Sequence, residues 1–395
     1  MTNTQQAGGK NEMAASGAGG GRTPFERIAL LLQGGGALGA YQAGVYQALA
    51  EADLHPNWVA GISIGAINSA IIAGNPPELR VKRLREFWET VSASPFGIPY
   101  VKELEPRDGF ARQFIYQTQA MNNLLFGAHD FFVPRMPPPL LFPPGSPEKA
   151  SLYDNSPVRE TLGRLVDFDR INSGAMRLSV GAVDVRSGNF AYFDTKTQKI
   201  RVDHVIASGS LPPGFALTEV DGHYYWDGGL ISNTPLQWVL DSQPRLDTLA
   251  FQIDLWNARG ELPRDMIEVE VRQKEIVYSS RNRAATDQYK RSQKLRIALA
   301  HLINKLPAEL RDSDDVQLLR TVANDKVCNI VHLIYRARKY EGIAKDFEFS
   351  RFTMEDHWNA GYSNARENLA NPEVFQLPDR REGVRTFDTG EDHLA

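Results

Sequence analysis

A chain of 395 residues is long enough for one large domain or two ordinary ones around a sizeable core. A hydrophobic share of 42% against 23% charged residues excludes a disordered chain. A formal charge of -4 removes the general electrostatic reason to expect nucleic acid as a partner, and a single cysteine, Cys328, excludes an internal disulfide framework and a multi-cysteine zinc site.

Residues 1–24 are small, polar and Gly-rich, which reads as a flexible tail without the apolar core of a Sec-type signal. With one cysteine, this leads us to expect a cytoplasmic protein. Residues 27–33 form a short apolar run stopped by Gly34-Gly35-Gly36, the pattern of a buried strand and a tight turn. A helix follows over 37–50, with Leu38, Tyr41, Val45 and Leu49 at helical spacing. Residues 58–61 start a second unit of the same kind, with a turn at Ser63 and a small-residue helix over 64–73. Two such units in succession imply a parallel sheet covered by helices. That burial explains why 28–50 and 56–77 carry no charge, although each is long enough to span a bilayer. Five glycines and three glutamines in the first, and Asn68 in the middle of the second, argue against a membrane span.

An amphipathic helix is expected over 78–93, with Leu84, Phe87 and Trp88 on its apolar face. Periodicity then dissolves from about 95 to 150. Seven prolines within 133–147, interleaved with Phe131, Phe132, Leu141 and other large apolar residues, predict a long ordered lid. Ser156-Pro157 opens another helix, to about 166. Residues 178–185 and 190–193 read as a hairpin. Further strands are expected at 248–255 and 327–335, with a charged helical region between them and a last helix over 354–369.

The chemistry concentrates in three short motifs. Gly61-Ile62-Ser63-Ile64-Gly65 has the form G-x-S-x-G, in which glycines let a strand turn sharply into a helix and project the serine hydroxyl. Gln33-Gly34-Gly35-Gly36-Ala37-Leu38-Gly39 also lies between strand and helix, where exposed N–H groups can hold an anion. It lacks the lysine and Ser/Thr of a nucleotide-phosphate loop. A dinucleotide fingerprint can be fitted at Gly34, Gly36 and Gly39, but the strand that should supply the acidic ribose ligand runs instead into Ser63. An oxyanion hole beside an elbow serine uses both loops at once. The third motif is Trp226-Asp227-Gly228-Gly229, followed by Asn233-Thr234-Pro235.

In this order, G-G-G-A-L-G-A-Y-Q-A-G-V, G-I-S-I-G and D-G-G resemble the patatin-like phospholipase family, over about 28–255. The segment 207–215 resembles the stretch preceding that family's aspartate, and the remainder from about 259 resembles the C-terminal extension of a bacterial subgroup. The resemblance implies an α/β fold of three α/β/α layers with a mainly parallel sheet, plus a helical C-terminal extension. The catalytic domain would run over 25–258 and the extension, packed on it, over 259–395. It further implies a Ser63–Asp227 dyad acting through an acyl-enzyme. Gly34, Gly35 and Gly36 would be the oxyanion donors, and Gly61, Gly65, Gly228 and Gly229 would position the dyad. From the residues alone a triad stays open, with His301, His332 or His357 following in chain order and His223 close before Asp227. Acyl transfer to an acceptor other than water is likewise open.

No pattern for a metal or other cofactor is present, so none is expected. With the apolar lid, the resemblance implies fatty acyl esters of phospholipids or lysophospholipids, with Phe131, Phe132 and Leu141 at the acyl-chain entrance. Residues 271–296 hold eight Lys/Arg against two Asp/Glu, a local net of +6, which suggests peripheral contact with an anionic membrane.

Overall fold

The computed structural model describes residues 23–93, 109–139, 145 and 147–388. A nine-stranded sheet organises them, in the order β11-β10-β9-β1-β2-β5-β8-β7, with β6 also paired to β5. These strands are β1 Arg27–Leu32, β2 Trp58–Ile62, β5 Arg177–Asp184, β6 Phe190–Asp194, β7 Thr218–Val220, β8 His223–Asp227, β9 Thr248–Asp254, β10 Cys328–Ile334 and β11 Val384–Asp388. A separate short pair joins β3 Val133–Pro134 to β4 Tyr153–Asp154. The six strands from β11 to β5 run parallel, and the edge beyond β5 is antiparallel.

Three layers follow from strand alternation. Leu30, Leu32, Val59, Phe251 and Ile253 point to one face, covered by helices α1 Gly39–Glu51, α2 Ile64–Ala73 and α3 Pro77–Val91. Ala29, Leu31, Ala60, Ala250 and Ile330 point to the other, against the helix Leu236–Asp241 and Tyr289 of the long helix Met266–Lys305. Side chains on both faces are therefore buried, and the central strands read as continuous apolar runs. Strand β1 connects to β2 on one side and pairs with β9 on the other, so a crevice opens beyond the carboxyl ends of β1 and β2.

Two regions differ from the sequence reading. Within the expected lid, Gly109–Phe126 forms an 18-residue helix, α4. Phe110, Phe114, Met121 and Leu125 recur in it at helical spacing, but the Pro-rich stretch that follows makes the whole segment read as a lid. After residue 258, β10 forms where a strand over 327–335 is expected and pairs with β9 throughout its length, while β11, outside the expected strands, extends the same sheet beyond it.

The C-terminal helix Arg351–Leu369 lies directly on α1. The backbones approach so closely that a Cβ on Gly361 would strike the Tyr41 carbonyl, and one on Gly44 the Trp358 carbonyl. Gly361→Val is expected to destabilise the protein by about 3 kcal/mol or more, because neither backbone can yield without separating the helices. Equilibrium denaturation checks this, and an unchanged midpoint would mean that the helix pair is not tightly held.

Candidate active site

Gln33 follows β1 in a buried position, and its side chain ties the first loop to distant parts of the chain. Its Oε1 accepts from the N–H groups of Leu255 and Trp256 at 2.6 and 3.1 Å. Its Nε2 donates to Thr234 Oγ1 and to the Tyr278 carbonyl, both at 3.2 Å. Behind the loop, Gln42 donates to the Gln33 carbonyl at 2.6 Å, Asn68 to Gln42 at 2.8 Å, and Trp88 to Asn68 at 3.0 Å. Asn68, polar in an uncharged stretch, thus belongs to a buried hydrogen-bonded network.

At the end of β2 the chain turns through Ser63, at φ 56° and ψ -125°, directly into α2. A side chain at positive φ is strained, and a serine held there projects its hydroxyl away from both elements. The turn closes only because Gly61 packs on the Gly65 backbone and Gly65 on the Leu32 and Gln33 carbonyls, where any Cβ would collide. The Ser63 N–H donates to Ser208 Oγ at 2.9 Å, and Ser208 donates to the Gly181 carbonyl at 2.6 Å. Ser208 anchors the elbow, a role that nothing local in the sequence announces.

Asp227 closes β8 and is 1% exposed. Its Oδ1 accepts from the Gly229 N–H at 2.7 Å. Its Oδ2 is buried and meets no donor at bonding geometry among the described residues. Burial pushes its pKa up to about 7, while the Ser63 hydroxyl and the Gly229 N–H pull it back in smaller measure. Ser63 is therefore close enough to act on the carboxylate although no formed bond joins them. A hydroxyl turns freely about its C–O bond, and Oδ2 is the carboxylate oxygen left without a donor.

The glycine loop is not uniform. Gly34 is buried, its N–H donates to Asn233 Oδ1 at 3.1 Å, and its carbonyl accepts from Asn233 Nδ2 at 3.0 Å and Trp256 Nε1 at 2.9 Å. Gly35 and Gly36 are partly exposed, and their N–H groups meet no acceptor among the described residues. Gly36, at φ +54°, lies against the carbonyl of Asp346, which also accepts from the Ala37 N–H at 2.9 Å. Asp346 is held in turn by Lys274 Nζ at 2.9 Å. The C-terminal region thus braces the glycine loop from behind.

Ser63, Asp227, Gly34, Gly35, Gly36, Gly229, Phe131 and Phe132 all border one mostly apolar cavity of about 300 Å³. Gly61, Gly65 and Gly228 lie beneath it, Gly228 against the Gly181 carbonyl. Phe131 and Phe132 are buried in a ring cluster with Phe349, and Phe132 also meets Tyr153 and Phe215. They form a wall of the cavity. Leu141 lies outside the described residues. Sequence reasoning missed Trp256, Tyr278, Phe347 and Phe349, which complete the lining from beyond residue 255. The Tyr278 ring stacks near Trp256 at 5.1 Å, and its hydroxyl pKa is raised by burial and by the charges of Asp227 and Asp346.

No histidine borders this cavity among the described residues. His204 is buried and accepts from the Arg201 N–H at 2.9 Å through Nδ1. His223 faces Asp184 at 3.5 Å on an exposed strand end, and His332 pairs with Asp254 at 3.7 Å. His357 lies buried beside Glu341 at 3.4 Å, and His301 is exposed. No group of three or more His, Cys, Asp or Glu side chains able to hold a metal ion occurs among the described residues.

The family profile described as patatin-like phospholipase matches residues 30–239, more than half of the chain. The chain belongs to the patatin-like phospholipase family. A second profile, described as patatin phospholipase, matches residues 276–381. This patatin-like phospholipase is thus a lipid-hydrolysing esterase, and its substrate is a lipid. Among solved structures, VipD from Legionella pneumophila is similar at 15% identity and a TM-score of 0.40, over 91% of this chain and 71% of that one. No curated protein matches the chain.

Proposed function

We propose that this patatin-like phospholipase cleaves fatty acyl esters of phospholipids or lysophospholipids through a Ser63–Asp227 dyad. The observation that carries the reading is a strained, partly exposed serine and a buried carboxylate with one open oxygen in one cavity, which no histidine borders among the described residues. Asp227 Oδ2 takes the Ser63 proton as Oγ bonds to the ester carbonyl carbon. A pKa of about 7 suits that task at neutral pH far better than the ordinary carboxylate value. The carbonyl oxygen becomes an oxyanion, for which Gly35 and Gly36 offer their N–H groups in the loop that precedes α1. Gly34 supports that loop through Asn233 and donates nothing to the substrate. When the C–O bond breaks, Asp227 returns the proton to the leaving alkoxide and an acyl-enzyme remains on Ser63. Water then gives a proton to Asp227 as its oxygen bonds to the acyl carbon. When the bond to Ser63 Oγ breaks, Asp227 returns that proton to Oγ, which frees the fatty acid and restores the serine.

The test is covalent labelling. A fluorophosphonate probe is expected to modify Ser63, read by peptide mass, and a lipid panel is expected to yield free fatty acid. Labelling at another serine would remove the dyad, and acyl products on an acceptor other than water would make the protein a transferase. The apolar wall supports a chain-length prediction. Phe132→Ser is expected to reduce kcat/KM about 10-fold or more on long-chain esters and by a much smaller factor on butyryl esters. Equal losses would reduce Phe132 to ordinary core packing.

A further inference from the structure

Helix α4 turns Tyr116 and Ala120 inward, against Ala344 and Phe347, and leaves a stripe of large apolar side chains in water. Phe114 is 64% exposed, Met121 55% and Leu125 60%. Spaced at i, i+7 and i+11, they fall on one side of the helix. Arg112 is the only charged residue between Gly109 and Phe126, and it is turned to Asp356. The stripe adjoins the site. Leu124, next in sequence to Leu125, borders the cavity while remaining 43% exposed, and Asn123 lines it from the same turn.

We propose that the face of α4 carrying Phe114, Met121 and Leu125 docks on the surface of a phospholipid bilayer and sets the cavity mouth at the lipid interface. The inference rests on the lipid-hydrolase reading for its occupant. A substrate that resides in a bilayer must leave it to reach Ser63, and a wall shared by the cavity and the apolar stripe gives the acyl chain a continuous apolar route. No helix among the described residues is long and apolar enough to cross a membrane, so the contact is one of lying on the surface. The absence of charge on the stripe commits the lipid to a zwitterionic surface. The basic stretch in the long helix is a weaker candidate, because Arg272, Lys274 and Arg296 are already paired with Glu275, Asp346 and Asp241.

The experiment compares the full chain with a triple variant, Phe114→Gln, Met121→Gln and Leu125→Gln, all exposed positions away from the proposed dyad. Binding to phosphatidylcholine vesicles is measured by flotation in a Ser63→Ala background, so that no lipid is consumed. The expected result is binding by the parent that 0.5 M salt does not weaken, and a loss of about 10-fold or more in the triple variant. With Ser63 restored, the triple variant should lose vesicle hydrolysis to the same extent and keep its full rate on a water-soluble butyryl ester. Equal vesicle binding by both proteins overturns the proposal. So does binding that requires anionic lipid and disappears in salt, which would assign the contact to the basic helix. A parent that is dimeric, with a monomeric triple variant and unchanged vesicle binding, would make the stripe a contact between copies of the chain. Vesicle binding without hydrolysis by the parent would fail the catalytic reading and leave the docking surface standing.

Discussion

Ser63→Ala is expected to lower ester hydrolysis by about 10⁴-fold or more while leaving the fold intact. The loss is large because Ser63 Oγ is the proposed nucleophile, and no second hydroxyl occupies the turn between β2 and α2. The fold should be indifferent because the elbow is anchored through its backbone. The residue-63 N–H still meets Ser208 Oγ, and Gly61 and Gly65 still close the turn. Stability should therefore change by no more than about 0.5 kcal/mol. Hydrolysis by a correctly folded Ser63→Ala protein at more than about a hundredth of the parent rate would mean that the nucleophile lies elsewhere.

Asp227→Asn should be nearly as damaging, at about 10⁴-fold, and its pH behaviour separates a dyad from a triad. The active form of Asp227 is the carboxylate, and burial holds its pKa at about 7. In the parent, kcat/KM should rise with pH through about 7 and then level off, with the limb absent from the residual activity of Asp227→Asn. A histidine base would give a similar limb, so the pH profile alone does not decide. Substitutions do. Variants at His204, His223, His301, His332 and His357 should each keep substantial activity when folded, because none of these side chains borders the cavity. One folded histidine variant as inactive as Ser63→Ala would replace the dyad by a triad.

The same carboxyl makes a linked statement about stability. A carboxyl whose pKa is raised on folding, here from 3.8 to about 7, costs almost nothing below about pH 3, where both states are protonated. As pH rises from there, the unfolded state ionises first and the native state is penalised. The penalty is complete above about pH 7, at roughly 4 kcal/mol as an upper bound. Asp227→Asn should thus be more stable than the parent at pH 8, with the gain vanishing towards about pH 3. A variant no more stable at pH 8 would mean that Asp227 is better solvated than its burial indicates.

Much of the site was legible because its signals are local. Glycines around Ser63 and in Gly34-Gly35-Gly36 mark positions where a Cβ cannot fit, and the strands before them are apolar on both faces. Those features need only a few consecutive residues, and β1, α1, β2 and α2 all appear where their patterns lie. Helix α4 escapes the sequence reading although Phe114, Met121 and Leu125 recur at helical spacing, because the prolines beyond it make the stretch read as a lid. Tyr116 and Ala120 pack inward on Phe347 while that stripe remains in water, a division that only the tertiary structure sets.

By itself, the sequence determined the order of the motifs, the strand–turn–helix units that carry them and the family to which they belong. Only the tertiary structure decided which groups are free to act. Gly34 loses its N–H to Asn233, 199 residues away, and Ser63 is anchored by Ser208, 145 residues away. Asp227 has its pKa raised to about 7 because the fold removes water from around it, and no neighbour in the chain encodes that burial. After residue 258 the sequence marks a strand over 327–335, but only the fold pairs it with β9 and closes Asp346 on the glycine loop. Contacts of this kind depend on where the sheet brings distant segments together, and local patterning carries no record of them.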